Sequence, residues 1–287
     1  MTELRRRMTD DMVMRRMAEA TQEAYLSAVV GLARFYRRSP DQITEAEVQA
    51  YLLHLIRERK RAWSTCNIVV HGLRFFYHVT LKRERTTFSI PAGRQPSTLP
   101  EILSREEVQR LIAATDSPKE HALVATAYAT GLRVKELVHL KLTDLDAARG
   151  MIRVEQGKGA KDRYTILSPC LVEELRAYWT RARPRVWLFP GRDGQRPLDT
   201  SSVGKGYTAA KRRAGIPKRG GIHALRHAFA THLLEMGVDL ATIQRLLGHA
   251  SIQTTMRYLH VARTSLTLHG APIELLSFPS ASPSTPI

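Results

Sequence analysis

A group of basic and phenolic side chains lies between residues 223 and 258. His223 and Arg226 stand three residues apart at the start of a helical segment, so they share one face of the helix and can reach a common target. A phosphate suits both side chains, because each can donate hydrogen bonds to an anion. Tyr258 follows His249 by nine residues. These residue types indicate chemistry at a phosphate.

Three short helices are predicted to position these side chains. The first begins near His223, and the second spans 239–247 and ends at Gly248, which is typical of a helix stop. His249 therefore lies in a turn, where side chains are often directed at a site. The third helix starts shortly afterwards and reaches Tyr258, so the tyrosine is presented by a short, movable element.

These motifs resemble those of the tyrosine recombinase, or phage integrase, family. H-A-L-R-H, followed by A-T-H-L-L, L-L-G-H and a tyrosine, is similar to the family's second signature, and A-T-G-L-R-V-K-E-L is similar to its first. G-K-G-A-K-D-R, between the β-rich runs Met151 to Gln156 and Tyr164 to Leu167, resembles the hairpin that carries a catalytic lysine. The resemblance implies six catalytic residues: Arg133, Lys158, His223, Arg226, His249 and the nucleophile Tyr258.

The implied reaction is DNA strand cleavage by the tyrosine, with no metal and no cofactor. Two arginines suit the phosphorane-like transition state because each guanidinium stays charged and donates in a fixed fork. Such donors lower the barrier by about 3–4 kcal/mol each. His223 is expected to act as base or donor, His249 to donate or support, and Lys158 to protonate the leaving 5′-oxygen. The product is a 3′-phosphotyrosyl enzyme with a free 5′-hydroxyl, which conserves bond energy for rejoining.

Several of these residues have plainer interpretations. Arg133 has a structural ion-pair partner available in Glu136, three residues later. Lys161 lies on the same loop as Lys158, and only the resemblance selects between the two lysines. Other histidines near the motif are given no catalytic role: His227 and His232 are interpreted as packing or surface residues, and His260 is left unassigned.

The charge of the chain points to a polyanionic partner. The 287 residues carry a formal net charge of +17, and the isoelectric point is near 10.4. Nucleic acid is the partner that this excess favours, with an acidic membrane surface as the alternative. No 18-residue apolar run or signal peptide is found, so a cytoplasmic, nucleoid-associated protein of prokaryotic type is expected. Cys66 and Cys170 lack metal-ligand spacing and are interpreted as reduced thiols.

The resemblance also implies a two-domain architecture. It is mainly α, with a small β-sheet or hairpin in the catalytic domain, and the two domains form a C-shaped clamp on DNA. The predicted parts are a SAM-like helical core-DNA-binding domain at 1–82, a linker at 83–101, a catalytic domain at 102–264 and a tail at 265–287. An apolar run in the tail, Ile273 to Phe278, is expected to dock on a neighbouring protomer before a disordered end.

Local patterns predict where individual helices begin. Four capping boxes mark helix starts: Ser39 with Gln42, Thr44 with Glu47, Ser104 with Glu107, and Ser117 with Glu120. The helix after Ser117 is expected to end at Gly131, with Arg133 on the helix that follows. Further helices are predicted near Leu171 to Arg181 and Ser201 to Ala214.

The function implied by the resemblance is site-specific recombination. The expected partner is double-stranded DNA with inverted core sites, and no membrane partner is expected. The protein is expected to act as a homo-tetramer, or as a hetero-tetramer with a related recombinase, and to exchange strands through a Holliday junction. Integration, excision or resolution of a mobile element is the favoured role, with Xer-type chromosome-dimer resolution as the alternative. A type IB topoisomerase and a catalytically inactive DNA-binding regulator are the other hypotheses.

Overall fold

The described part of the protein is mainly helical and contains one small sheet. The computed structural model describes residues 2–84, 88–89, 101–155 and 162–259. The chain divides into two compact units, Met1–Ser97 and Thr98–Ile287. Within the described ranges, no helix has both the length and the apolar character needed to cross a membrane. The predicted mainly α fold with a small sheet is confirmed.

The described residues of the first unit form a bundle of four α-helices. Their apolar faces meet in one core, in which Leu32, Leu52 and Leu73 are almost fully buried. The rings of Phe76 and Tyr77 lie in the same core. The helices are α1 (Glu3–Met14), α2 (Glu19–Tyr36), α3 (Glu45–Arg57) and α4 (Trp63–Phe75), the last continued by a π-helical turn (Phe76–Thr80).

One of the two capping boxes predicted in this unit is present. Thr44 and Glu47 exchange the expected hydrogen bonds and begin α3. The prediction at Ser39 is wrong, because Pro40–Gln42 forms only one 3-10 turn and the Ser39 hydroxyl bonds to Asp41 instead. The backbone becomes extended directly afterwards, where the core residue Ile43 is buried.

The second unit packs its helices around one main core. The capping residues Ser104 and Ser117 accept the predicted backbone hydrogen bonds at the starts of α5 and α6. The predicted helices near 171–181 and 201–214 are confirmed as α8 and α9. The helices are α5 (Arg105–Ala113), α6 (Pro118–Thr130), α7 (Val134–Val138), α8 (Pro169–Ala182), α9 (Thr200–Arg213), α10 (His223–Glu235), α11 (Leu240–Leu247) and α12 (Ile252–Met256).

The sheet has three antiparallel strands in the order β1-β2-β3. They are β1 (Leu145–Asp146), β2 (Met151–Val154) and β3 (Arg163–Ile166). The hairpin predicted from the two β-rich runs is confirmed. Strand β1 was not expected, because two residues are too few to show alternation. The loop that joins β2 to β3, with Lys158 and Lys161, lies outside the described residues.

Gly131 brings two helices of the second unit close together. It ends α6 with a left-handed backbone, φ +61°, as predicted. A Cβ at this position would lie 2.3 Å from Cδ1 of Phe229 on α10. The missing side chain therefore lets the end of α6 approach α10, and the Gly131 carbonyl faces Arg226.

Candidate active site

Arg226 is a buried cation held by backbone carbonyls. It lies in the first turn of α10 and is 1% exposed. Its Nη1 donates to the carbonyl of Gly131 at 2.6 Å, and its Nη2 donates to that of Leu247 at 2.7 Å. Burial, followed by the charge of Arg133, lowers the pKa of Arg226 to about 10. The guanidinium therefore stays protonated at neutral pH, and neither carbonyl cancels its charge.

Arg133 lies just before α7. The expectation that it lies on the helix is wrong, because it is the N-cap of α7 with extended backbone, φ −68° and ψ 149°. The chain needs this extended step to leave α6 at Gly131 and begin a new helix. Its Nη1 donates to Oε1 of Glu136 at 2.8 Å, as the spacing suggested. Its Nη2 donates to the carbonyl of Gly248 at 3.1 Å.

Arg163 is a third guanidinium at the same place. It is the last residue of the G-K-G-A-K-D-R run, in which the sequence analysis assigned a role only to Lys158. It begins β3, and its side chain is 11% exposed. Its Nη1 and Nη2 donate to the two carboxylate oxygens of Glu136 at 2.9 and 2.7 Å. Its Nε donates to the carbonyl of Leu246 at 3.1 Å. Only the three-dimensional fold brings this residue of the sheet beside Glu136.

The three arginines converge on the C-terminal end of α11. Helix C-termini leave carbonyls without intrahelical partners, and these carbonyls carry a partial negative charge. Each carbonyl here receives one guanidinium from another element. The pairs are Leu246 with Arg163, Leu247 with Arg226, and Gly248 with Arg133.

Glu136 compensates only part of this positive charge. Burial alone raises the pKa of its carboxyl, but the hydrogen bonds and charges of Arg163 and Arg133 outweigh burial and lower the pKa to about 2. It is therefore ionised at neutral pH. Three guanidiniums and one carboxylate leave an excess of two positive charges. Such a cluster suits an anion such as a phosphate.

Tyr258 packs next to this cationic cluster. It lies in the turn that follows α12, two residues beyond the end of the helix that was expected to reach it. Its side chain joins a small apolar cluster with Phe229 and Leu247, and the residue is 4% exposed. Burial raises the pKa of Tyr258, while the charges of Arg226 and Arg133 act in the opposite direction. The phenol is therefore protonated in this arrangement.

His227 is the histidine that contacts the tyrosine hydroxyl. Its Nδ1 lies 3.0 Å from Oη of Tyr258, at hydrogen-bond distance. Burial, followed by the charges of His223 and Arg226, lowers the pKa of His227 to about 4, so its ring is neutral near pH 7. The interpretation of His227 as a packing or surface residue missed this contact. The signal was its position one helical turn after His223, on the same face of α10.

His223 lies at the N-terminal end of α10, next to His227. The centres of the two rings are 4.8 Å apart, and the rings are nearly perpendicular. Burial lowers the pKa of His223, and the charges of Arg226 and Arg133 lower it further. The ring therefore contacts the histidine that lies against the tyrosine hydroxyl, and the arginine charges act on it.

His249 also lies next to the tyrosine ring. It follows Gly248, whose left-handed backbone, φ +64°, ends α11 as predicted. Its Nδ1 bonds to Oγ1 of Thr255 on α12 at 2.8 Å, and its ring lies nearly parallel to that of Tyr258. Burial, followed by the charges of the three arginines, lowers the pKa of His249 to about 4. The site thus joins Arg133, His223, Arg226, His249 and Tyr258, while Lys158 lies outside the described residues.

Both units of the chain match known protein families. Residues 101–265 match the phage integrase family, and residues 4–87 match the phage integrase N-terminal SAM-like domain. The chain belongs to the phage integrase family. An integrase/recombinase of Sinorhizobium fredii strain NGR234 is 43% identical over 284 residues, which cover 99% of this chain and 92% of that protein. The tyrosine recombinase XerD of Listeria monocytogenes strain F2365 is 32% identical over 260 residues, or 85% of each chain.

Solved structures of tyrosine recombinases share the fold of this family member. The crystal structure of XerA recombinase matches with a TM-score of 0.53 and 31% identity, covering 90% of this chain and 93% of that chain. A lambda integrase tetramer bound to a Holliday junction matches with a TM-score of 0.70 and 22% identity, covering 88% and 75%. The predicted family and its combination of SAM-like and catalytic domains are thus confirmed, and the chain is a tyrosine recombinase.

The lowered pKa values of His227 and His249 predict that the recombinase loses stability in mild acid. Both folded-state values are about 4, whereas an unfolded histidine titrates near 6.5. Between these two values the unfolded chain binds more protons than the folded chain. The contribution of the two histidines to the free energy of unfolding therefore keeps its full value above about pH 6.5 and falls as the pH drops towards 4. The slope is at most about 1.4 kcal/mol per pH unit for each histidine. Urea unfolding at several pH values measures it.

The double variant His227→Gln/His249→Gln should show a shallower fall in the free energy of unfolding. His71→Gln, at an exposed imidazole in the first unit, controls for the loss of a histidine in general. An equal slope in the parent and the double variant would contradict the assignment of these protons.

Proposed function

We propose that this recombinase cleaves and rejoins DNA strands through a 3′-phosphotyrosyl intermediate on Tyr258. The observation that carries the proposal is the placement of one tyrosine beside a cluster with two excess positive charges. Phosphodiester cleavage by a phenol needs a cationic environment, because negative charge grows on the non-bridging oxygens as the bond forms. The covalent product retains the bond energy, so rejoining to another strand needs no ATP.

Arg133 and Arg226 are the proposed ligands of those non-bridging oxygens. A guanidinium has five N–H donors, and the hydrogen bonds described above use two on each side chain. Donors therefore remain for the phosphate, while the hydrogen bonds to carbonyl and carboxylate oxygens fix the orientation of each guanidinium. Such preorganisation avoids reorganisation when the reaction occurs.

DNA binding is expected to move the segment that carries the nucleophile. Tyr258 is 4% exposed and Arg226 is 1% exposed, so a phosphate can reach them only when covering atoms move. Helix α12 is only five residues long and follows the left-handed end of α11, which makes it the short element that can shift. The nucleophile is then uncovered only when DNA is present.

His227 is proposed to accept the proton of the tyrosine. Its neutral Nδ1 lies at hydrogen-bond distance from Oη of Tyr258 and accepts the phenolic proton when the ring carries its own proton on Nε2. The negative phosphate raises the imidazole pKa when DNA arrives. As the phenolic oxygen bonds to phosphorus, the proton passes to Nδ1. The 5′-oxygen leaves with a proton from Lys158. His223 and His249 donate to the phosphate or hold the reacting groups in place.

The proposed assembly is a tetramer on DNA with inverted core sites, formed from this chain alone or with a related recombinase. A lambda integrase tetramer on a Holliday junction shares the fold, and the net charge of +17 suits DNA. The integrase/recombinase of Sinorhizobium fredii, 43% identical over 99% of the chain, favours integration, excision or resolution of a mobile element. Xer-type resolution of chromosome dimers in the nucleoid is the alternative, supported by the XerD relative.

A covalent-capture assay tests the proposed nucleophile. Footprinting of the DNA that flanks the gene first identifies a duplex that the protein protects. This duplex is then nicked near the centre of the protected region, so that cleavage releases a short strand, which is lost. In EDTA, the parent should form a DNA–protein adduct that survives detergent. Mass spectrometry should place the DNA on Tyr258, because this is the phenol that lies beside the arginine cluster among the described residues. Tyr258→Phe should abolish the adduct and leave the dissociation constant for DNA unchanged.

Tyr164→Phe is the matched control, since Tyr164 is 56% exposed on β3. It should form the adduct at the parent's rate. An adduct on another residue, or bound duplex that is never cleaved, would contradict the proposed chemistry, and the second result would favour a DNA-binding regulator.

A sulfur-substituted substrate tests which lysine protonates the leaving group. A bridging 5′-sulfur leaves as a thiolate and needs no proton, because thiols are far more acidic than alcohols. Lys158→Ala should slow cleavage of the ordinary duplex by about 10²–10⁴-fold and cleave the sulfur duplex near the parent's rate. Lys161→Ala should behave like the parent on both duplexes. Rescue of Lys161→Ala instead would move the role to that lysine.

A further inference from the structure

All three side-chain nitrogens of Arg163 are engaged within the protein. Two of them hold both carboxylate oxygens of Glu136, and the third holds the carbonyl of Leu246. This fork-to-fork geometry is the strongest arrangement for an arginine and a carboxylate. With its side chain 11% exposed, Arg163 is placed to act on Glu136 more than on a ligand.

Glu136 is shared between two arginines, Arg163 and Arg133. Its carboxylate also accepts the backbone N–H of Arg133 at 2.9 Å and the Nη1 of Arg133 at 2.8 Å. If Arg163 were absent, Glu136 and Arg133 would form a simple ion pair with no net charge. With Arg163 present, one full positive charge is left on the group that faces the phosphate.

A second observation ties Arg163 to the end of α11. A Cβ on Gly248 would lie 2.7 Å from Cδ and 2.8 Å from Nε of Arg163. Glycine is therefore needed at position 248 for two reasons. Its backbone is left-handed, and a side chain there would clash with Arg163. The side chain thus fastens the start of β3, where the hairpin loop returns to the sheet, to the helix end that holds the other arginines.

We propose that Arg163 is a positioning residue for strand cleavage. It compensates the charge of Glu136 so that Arg133 keeps its positive charge for the phosphate, and it anchors the base of the β2–β3 hairpin at the end of α11. This role rests on the proposed function, because it concerns the same cleavage step at Tyr258.

A double-mutant cycle separates charge compensation from a merely structural role. The variants are Arg163→Met, Glu136→Gln and the two combined, with Arg163→Lys as the variant that keeps the charge. The readouts are the first-order rate of adduct formation at saturating nicked duplex and, separately, the dissociation constant for that duplex. Thermal unfolding of each variant checks that the fold is kept.

Arg163→Met should slow adduct formation by about 100-fold, the scale for misplacing a reacting group, with little change in DNA affinity. Arg163→Lys should be faster than Arg163→Met, because an ammonium still compensates Glu136. Adding Glu136→Gln to Arg163→Met should restore at least about tenfold of the rate, since the uncompensated carboxylate is gone. Arg153→Met, an exposed arginine of β2 that pairs with Asp144 and Glu155, is the matched control and should keep the parent's rate.

Each result is decisive for one of the two claims. A combined variant that is as slow as Arg163→Met, or slower, would overturn charge compensation and leave Arg163 only a structural role. Arg163→Met at the parent's rate would overturn the positioning role altogether. No Tyr258 adduct from the parent would overturn the proposed function and, with it, this role for Arg163.

Discussion

The second unit of this recombinase depends on how the C-terminal end of α11 is satisfied. Three carbonyls with no intrahelical partner each receive a guanidinium, and the three arginines come from different elements: the N-cap of α7, the start of β3 and the first turn of α10. These pieces are far apart in sequence. One helix end therefore fixes the relative positions of parts that no local interaction could align.

The same arrangement explains why the site is cationic and yet closed. Placing three guanidiniums together is unfavourable, and carbonyl dipoles with the single carboxylate of Glu136 offset only part of that cost. Burial, followed by this remaining charge, lowers the pKa of the surrounding imidazoles. Tyr258 is protonated and buried in the same region. In the proposed reaction, the phosphate that is cleaved supplies negative charge that the cluster lacks.

Local patterns in the sequence predicted much of this fold. Capping boxes at Thr44 and Ser104 and the glycine stop at Gly248 describe single helices, whose signals lie within a few residues. The failure at Ser39 has a tertiary cause, because burial of Ile43 ends the turn after three residues.

The missed residues of the site were missed for different reasons. His227 carried a usable signal, one turn after His223 on the same face of α10. The bond between Arg163 and Glu136 joins residues 27 positions apart, and no periodicity connects them. The spacing of three residues between Arg133 and Glu136 fits both a helical pair and a capping residue, so it does not separate a position on the helix from the N-cap that Arg133 occupies. Lys158 stays a prediction.

The most direct measurement is a crystal structure of the Tyr258→Phe protein on an uncleaved duplex. We expect one phosphate to lie within about 3 Å of both Arg133 and Arg226, with the Arg163–Glu136 pair intact and residue 258 moved from its buried position. A phosphate held only by surface lysines and arginines, with Arg226 still covered, would contradict the claim that this arginine cluster is the catalytic centre.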